Sequence, residues 1–74
     1  MPRRPLYERI YDDVRDRIGR GEWAPAEAIP PEMTLARDLG ASQGTVRRAL
    51  DMLCDEGALV RRQGLGTFVA EQTP

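Results

Sequence analysis

The run from Ser42 to Gly57 constrains this chain more than any other stretch, because it reads as a helix with both ends written in. Ser42 is a strong N-cap: its hydroxyl can accept from an otherwise unpaired backbone N–H two or three residues on. Gly57 is a strong stop, since a left-handed residue after the last turn costs glycine nothing. Between them Val46, Ala49, Leu50 and Leu53 recur at spacings of three and four residues, which gathers them on one face. The N-terminal half of the other face carries Gln43, Gly44, Arg47 and Arg48, with no carboxylate before Asp51. Such a helix is expected to bury its back and present a cationic, hydrogen-bonding front.

The rest of the chain supplies what that helix packs against. Leu6 to about Arg20 reads as a first helix, with Leu6, Ile10, Val14 and Ile18 at four-residue spacing and Tyr7 and Tyr11 widening the stripe. Its polar face holds the pairs Asp13/Arg17 and Asp16/Arg20, and Gly19 and Gly21 end it. The connector from Glu22 to Pro31 contains Pro25, Pro30 and Pro31, which excludes a helix. Within it Trp23 is expected to plug a seam between helices, and Ala28-Ile29 to add a short edge strand. Pro31 to Leu39 reads as a second, shorter helix. Pro31 is expected in its first turn, Glu32 complements the helix dipole, and Met33, Leu35, Ala36 and Leu39 supply apolar contacts. Gly40-Ala41 then leads to Ser42, so two helices meet through a short Gly-containing turn: a helix-turn-helix. Leu59-Val60-Arg61-Arg62 and Thr67-Phe68-Val69-Ala70 have strand composition and are separated by Gln63-Gly64-Leu65-Gly66, a hairpin with a short loop. The expected fold is α+β: a winged helix-turn-helix of three helices and a two-stranded wing, with a short third strand near Ala28-Ile29. Residues 1–5 form an arm, 6–70 the domain, and 71–74 a tail or the start of a linker.

Composition narrows the chemistry. Seventy-four residues allow one domain, and a chain this short has a modest core. There is no His, and Cys54 is the single Cys. No metal site or cofactor is expected, and Cys54 reads as a small packed hydrophobe in a reducing, cytoplasmic setting. No apolar run approaches the roughly 18 residues that span a bilayer. Net charge is −1, yet all eleven basic residues are Arg, and they segregate. Arg3 and Arg4, Arg47 and Arg48, and Arg61 and Arg62 each lie in acid-free stretches. A basic stripe hidden in a near-neutral total is what a phosphate backbone would meet.

No enzyme signature is present. Gly64-Leu65-Gly66 follows a strand but opens no helix, so it is not a dinucleotide fingerprint. Ser42 has no base in reach, and the carboxylate pairs lie on polar helix faces. What remains is groove recognition. Gln43 can pair bidentately with adenine and Arg47 with guanine. Ser42, Thr45 and Arg48 can donate to phosphates, while Gly44 and the wing glycines allow close backbone approach.

With those residues in view, Leu6 to Val69 resembles the N-terminal winged helix-turn-helix domain of the GntR family of bacterial transcription regulators. The resemblance rests on Leu6-Tyr7-Glu8 with Ile10, Ile18 to Gly21, Ile29-Pro30, Leu35-Ala36 with Leu39-Gly40, Ser42-x-Gly44-Thr45-Val46-Arg47 with Ala49-Leu50, Glu56-Gly57, and the wing Arg62-Gln63-Gly64-x-Gly66-Thr67-Phe68-Val69. It implies operator binding to double-stranded DNA, usually repression, as a dimer on a palindromic site. Arg47 matches a DNA-contacting arginine, Ser42 and Thr45 phosphate-contacting hydroxyls, and Gly64 the wing-tip glycine at the minor groove. Arg62, Gln63, Gly66 and Thr67 complete the expected wing contacts. Met33, Gln43 and Leu65 stand where the family commonly carries a basic residue, and Pro31 where a capping Ser is common. Three lost cations are expected to weaken phosphate attraction, and Gln43 to shift base preference from guanine toward adenine.

The resemblance implies a further effector-binding, dimerising domain in full-length members. The chain is expected to be either an excised domain or a stand-alone regulator. No small-molecule site is expected in it, and by itself it should dimerise weakly. Two rival readings stay open: a winged helix that has exchanged DNA for a protein partner, and an architectural or excision-type DNA factor.

Overall fold

The computed structural model describes residues 4–71; Arg3 and the rest of the arm before it, and the last three residues of the tail, lie outside that range. Three helices come first: α1 (Leu6–Gly19), α2 (Glu32–Leu39) and α3 (Gln43–Asp55). Two antiparallel strands follow, β1 (Leu59–Arg62) and β2 (Gly66–Val69). The expected winged helix-turn-helix is the observed architecture.

Burial of one face of α3 organises the packing. Val46, Ala49, Leu50 and Leu53 have no exposed surface. They meet Ile10 and Val14 of α1, Leu35 and Ala36 of α2, and Leu59 and Val69 of the wing in one cluster. Trp23 and Ile29 close that cluster from the connector, so the tryptophan is the predicted plug. Tyr11, Ile18, Leu39 and Cys54 line its edge. Burial raises the Cys54 thiol pKa, which favours its neutral form at the edge of the core.

The three helices end alike. After each, a glycine with positive φ (Gly21, Gly40, Gly57) turns the chain, and the next N–H reaches back five residues to a helix carbonyl. Those bonds are Glu22 to Arg17, Ala41 to Ala36 and Ala58 to Leu53, the paired-bond C-terminal motif that only a left-handed residue allows. The turn between α2 and α3 is thereby fixed by Gly40 behind and the Ser42 cap ahead.

The structure corrects four expectations. Pro31 is the N-cap of α2 and not in its first turn; its carbonyl accepts from Leu35 N–H, while its extended ψ of 154° keeps it outside the helix. Met33 supplies no core contact and is 67% exposed, because it falls on the outer side of a helix whose inner side is taken by Leu35 and Ala36. Gly66 is the first residue of β2, paired with Arg62, so the wing loop shortens to Gln63-Gly64-Leu65 and the strand ends at Val69. The third strand near Ala28-Ile29 is reduced to a single bridge, Ala28 to Phe68, extended by Ile29 N–H donating to Thr67 O (2.9 Å). Donors facing β2 alternate along the connector, and the next one after Ile29 falls at Pro31, which has none.

Leu50→Ala leaves a hole in the fully buried side of α3. It should cost about 2–5 kcal/mol, most of what a domain this small has. Urea unfolding followed by circular dichroism measures the loss.

Candidate nucleic-acid interface

The front of α3 is built outward from its cap. Ser42 is extended (φ −76°, ψ 155°), and its Oγ accepts the Thr45 N–H at 3.1 Å. The Ser42 and Thr45 hydroxyls also bond each other at 2.7 Å. Two hydroxyl hydrogens share that one bond, so one hydrogen stays free to donate outward. With no acidic residue in the first turn, the positive end of the helix dipole is uncompensated from within.

Gln43, Gly44, Arg47 and Arg48 are all exposed on this end, as their spacing predicts, and Thr45 is half-buried. A Cβ on Gly44 would meet nothing within 4 Å, so the fold itself does not require glycine there. The Arg48 guanidinium lies 3.9 Å from the centre of the Tyr7 ring, a cation–π contact that ties the front of α3 to the start of α1. Tyr7 is thus a seat for Arg48 more than a core-edge filler.

The wing stands beside this surface. Arg62 O accepts from Leu65 N–H at 3.0 Å, closing a turn with Gly64 in the left-handed region (φ 77°). Leu65 at its tip is 73% exposed. Arg62 lies 5.8 Å from the Phe68 ring centre at the base of the wing. Met33, Gln43, Leu65 and Thr67 line one open groove between the start of α2 and the wing. The sequence-predicted residues therefore form two neighbouring patches, the capped end of α3 and the wing loop.

One group of residues escaped the sequence reading. Arg47 Nε donates to Glu32 Oε1 at 3.0 Å, and Arg61 Nη2 donates to Glu32 Oε2, also at 3.0 Å. The other Arg61 nitrogen, Nη1, pairs with Asp51, whose hydrogen bond holds the guanidinium pKa above its ordinary value. Stretches free of acid along the sequence are not free of it in space: α2 brings Glu32 to the cations. The one sequence signal was Asp51 at i+4 from Arg47, which in the fold points to Arg61 instead. Among the described residues no His, Cys, Asp and Glu cluster could hold a metal, and no helix is long and apolar enough to cross a membrane.

Residues 6–69 match the family model for bacterial regulatory proteins of the gntR family. The chain belongs to that family. It is 48% identical over 67 residues to the histidine utilization repressor of Klebsiella aerogenes, covering 90% of this chain and 28% of that protein. It is 40% identical over 67 residues to the transcriptional repressor NagR of Bacillus subtilis, again 90% of this chain and 28% of the relative. The chain thus spans little more than a quarter of the curated relatives it matches. Its fold superposes on the AraR DNA-binding domain solved in complex with an operator, with a TM-score of 0.89 and 35% identity over 92% of this chain and 83% of that one. Both the family and the winged-helix architecture expected from the sequence are thereby established.

Ser42→Ala should lower stability by about 1 kcal/mol through the lost cap. A thermal melt monitored at the helix signal reads it, and an unchanged melting temperature would show the cap to be idle.

Proposed function

We propose that this GntR-family chain binds operator DNA sequence-specifically as the DNA-binding part of a transcription repressor, with α3 in the major groove and the wing tip in the minor groove. The observation that carries this reading is the uncompensated, side-chain-capped end of α3 beside a glycine-turned wing, in a fold that superposes on a domain solved with its operator. Residues 6–70 are the binding unit, residues 1–5 an arm, and residues 71–74 a tail or the start of a linker. The chain works as a binder and not as an enzyme, in the cytoplasm where operators lie, on a palindromic site that seats two copies.

Roles follow from chemistry. Arg47 keeps its terminal nitrogens free for the O6 and N7 edge of guanine, and Gln43 suits adenine. Ser42, Thr45 and Arg48 hold phosphates, and Arg62, Gln63, Gly64, Gly66 and Thr67 follow the wing along the minor groove. Leu65 and Met33 add exposed apolar surface where the family resemblance implies a basic residue. Each phosphate contact forgone flattens the salt dependence by about one unit of slope. That exposed pair is also the observation favouring the second reading, a protein partner on the groove between α2 and the wing. An architectural role would appear as strong bending of the bound duplex.

Titration against a random-sequence duplex at low and moderate salt separates these readings. Salt-dependent binding supports DNA; its absence at low salt overturns it. Selection from a random pool then supplies the operator. Arg47→Ala should cost roughly 1–3 kcal/mol on the selected site and relax one base position, whereas unchanged preference would refute the assignment. Gly44→Ala separates fold from function. It should leave stability equal or raised by up to about 1 kcal/mol, because helix interiors prefer alanine. It should weaken DNA binding, because the methyl stands where the groove wall approaches; equal binding would remove that role from Gly44.

A further inference from the structure

We propose that Glu32 is a positioning residue for base readout: it anchors Arg47 by its inner nitrogen so that the outer fork of the guanidinium is presented to the groove. This rests on the DNA-binding reading above and extends it to a residue on a different helix from the readers.

The geometry is specific. The Glu32 side chain is only 18% exposed, while that of Arg47 is 60% exposed. The carboxylate therefore sits behind the arginine, not in front of it. Its Oε1 takes the Arg47 Nε–H. That leaves Nη1 and Nη2, the two donors whose spacing matches guanine O6 and N7. A free arginine side chain on a helix surface samples many rotamers, and fixing it on contact with DNA costs entropy. An arginine already tethered at Nε has lost much of that freedom beforehand.

The tether is itself held. Oε2 of Glu32 takes Arg61 Nη2, and Arg61 Nη1 holds Asp51. Leu59 and Arg61 lie on the same side of β1, by the alternation of a strand. Leu59 goes into the core, and Arg61 reaches the α3 side chain Asp51. The alternating series Arg47–Glu32–Arg61–Asp51 thus joins the reading helix α3, the start of α2 and the wing strand β1. The four charges of the series, two arginines and two acids, sum to zero, so an acid can stand at this surface with its charge shared among partners.

The test uses the whole chain, its selected duplex and a random duplex. Two variants separate anchoring from charge. Glu32→Gln keeps the length but turns an NH2 toward one arginine and removes the charge. Binding to the selected duplex should fall about ten-fold, a shift of the size one bidentate base contact is worth. Binding to the random duplex should rise, with a steeper salt slope, because a negative charge has left the surface. Glu32→Asp keeps the charge and shortens the reach by one methylene. It should lose the same discrimination with random binding unchanged. In an Arg47→Ala background neither change should alter discrimination further. Circular dichroism melts confirm that each variant is folded.

Preserved discrimination in both variants overturns the proposal. A parallel rise on both duplexes would make Glu32 a repulsive charge alone, and a loss that persists without Arg47 would make its role structural; either result also overturns it. Failure of the unaltered chain to prefer any duplex would overturn the DNA-binding reading first, and is distinguishable from these outcomes because it is seen before any substitution.

Discussion

Every part of this molecule leans on the apolar stripe of α3. Val46, Ala49, Leu50 and Leu53 are fully enclosed, and each other element contributes to their enclosure. A short chain has few ways to remove that much apolar surface from water. It must lay α1 across the stripe, bring α2 back through a tight turn, and fold the hairpin up beside it. The consequence for function is geometric. With its back buried on all sides, α3 can only present Gln43, Gly44, Arg47 and Arg48 outward, and the wing can only stand next to them.

Electrostatics is arranged on that frame rather than added to it. The near-neutral total includes local ion pairs: Asp13 with Arg17 and Asp16 with Arg20 along α1, and Arg15 with Glu56 at 3.8 Å between α1 and the end of α3. Exposed pairs of this kind add little stability. Their effect is to spend acidic charge away from the front of α3. The exception is Glu32, which α2 delivers into the cationic surface and which is answered by two arginines at once. Fold stability and the character of the candidate interface are thus set by different forces, the first by apolar burial and the second by where charges come to rest.

Much of the architecture was legible in the residues because it is written locally. Caps, glycine stops and periodicity act within one helical turn, so α1, α3 and β1 fall where their sequence signals stand. The misplaced details share a cause: each is decided by what does or does not stand opposite the residue once the chain is folded. Met33 is apolar, but the side of α2 it occupies has nothing opposite it. The Ala28 bridge is as short as Pro31, which has no N–H to offer, and the course of β2 allow. Gly66 looks like loop until Arg62 pairs with it. Among the candidate site residues, the capping role of Ser42 and the exposure of Gln43, Gly44, Arg47 and Arg48 were readable in advance, because helical spacing alone sets which side faces away from Leu50 and Leu53.

The sequence by itself determined the elements, the buried side of each and the winged order in which they follow, since these depend on spacings of two to four residues. Only the tertiary structure decided what the charged residues do. Glu32 and Asp51 are far apart along the chain from Arg61, and no periodicity connects them. Their meeting depends on the angle at which α2 and β1 pack on α3, which side-chain volumes in the core set and no local pattern encodes. The helix from Ser42 onward was recognisable as the candidate reading helix from its own residues; the carboxylate behind Arg47 became visible only once the chain was folded.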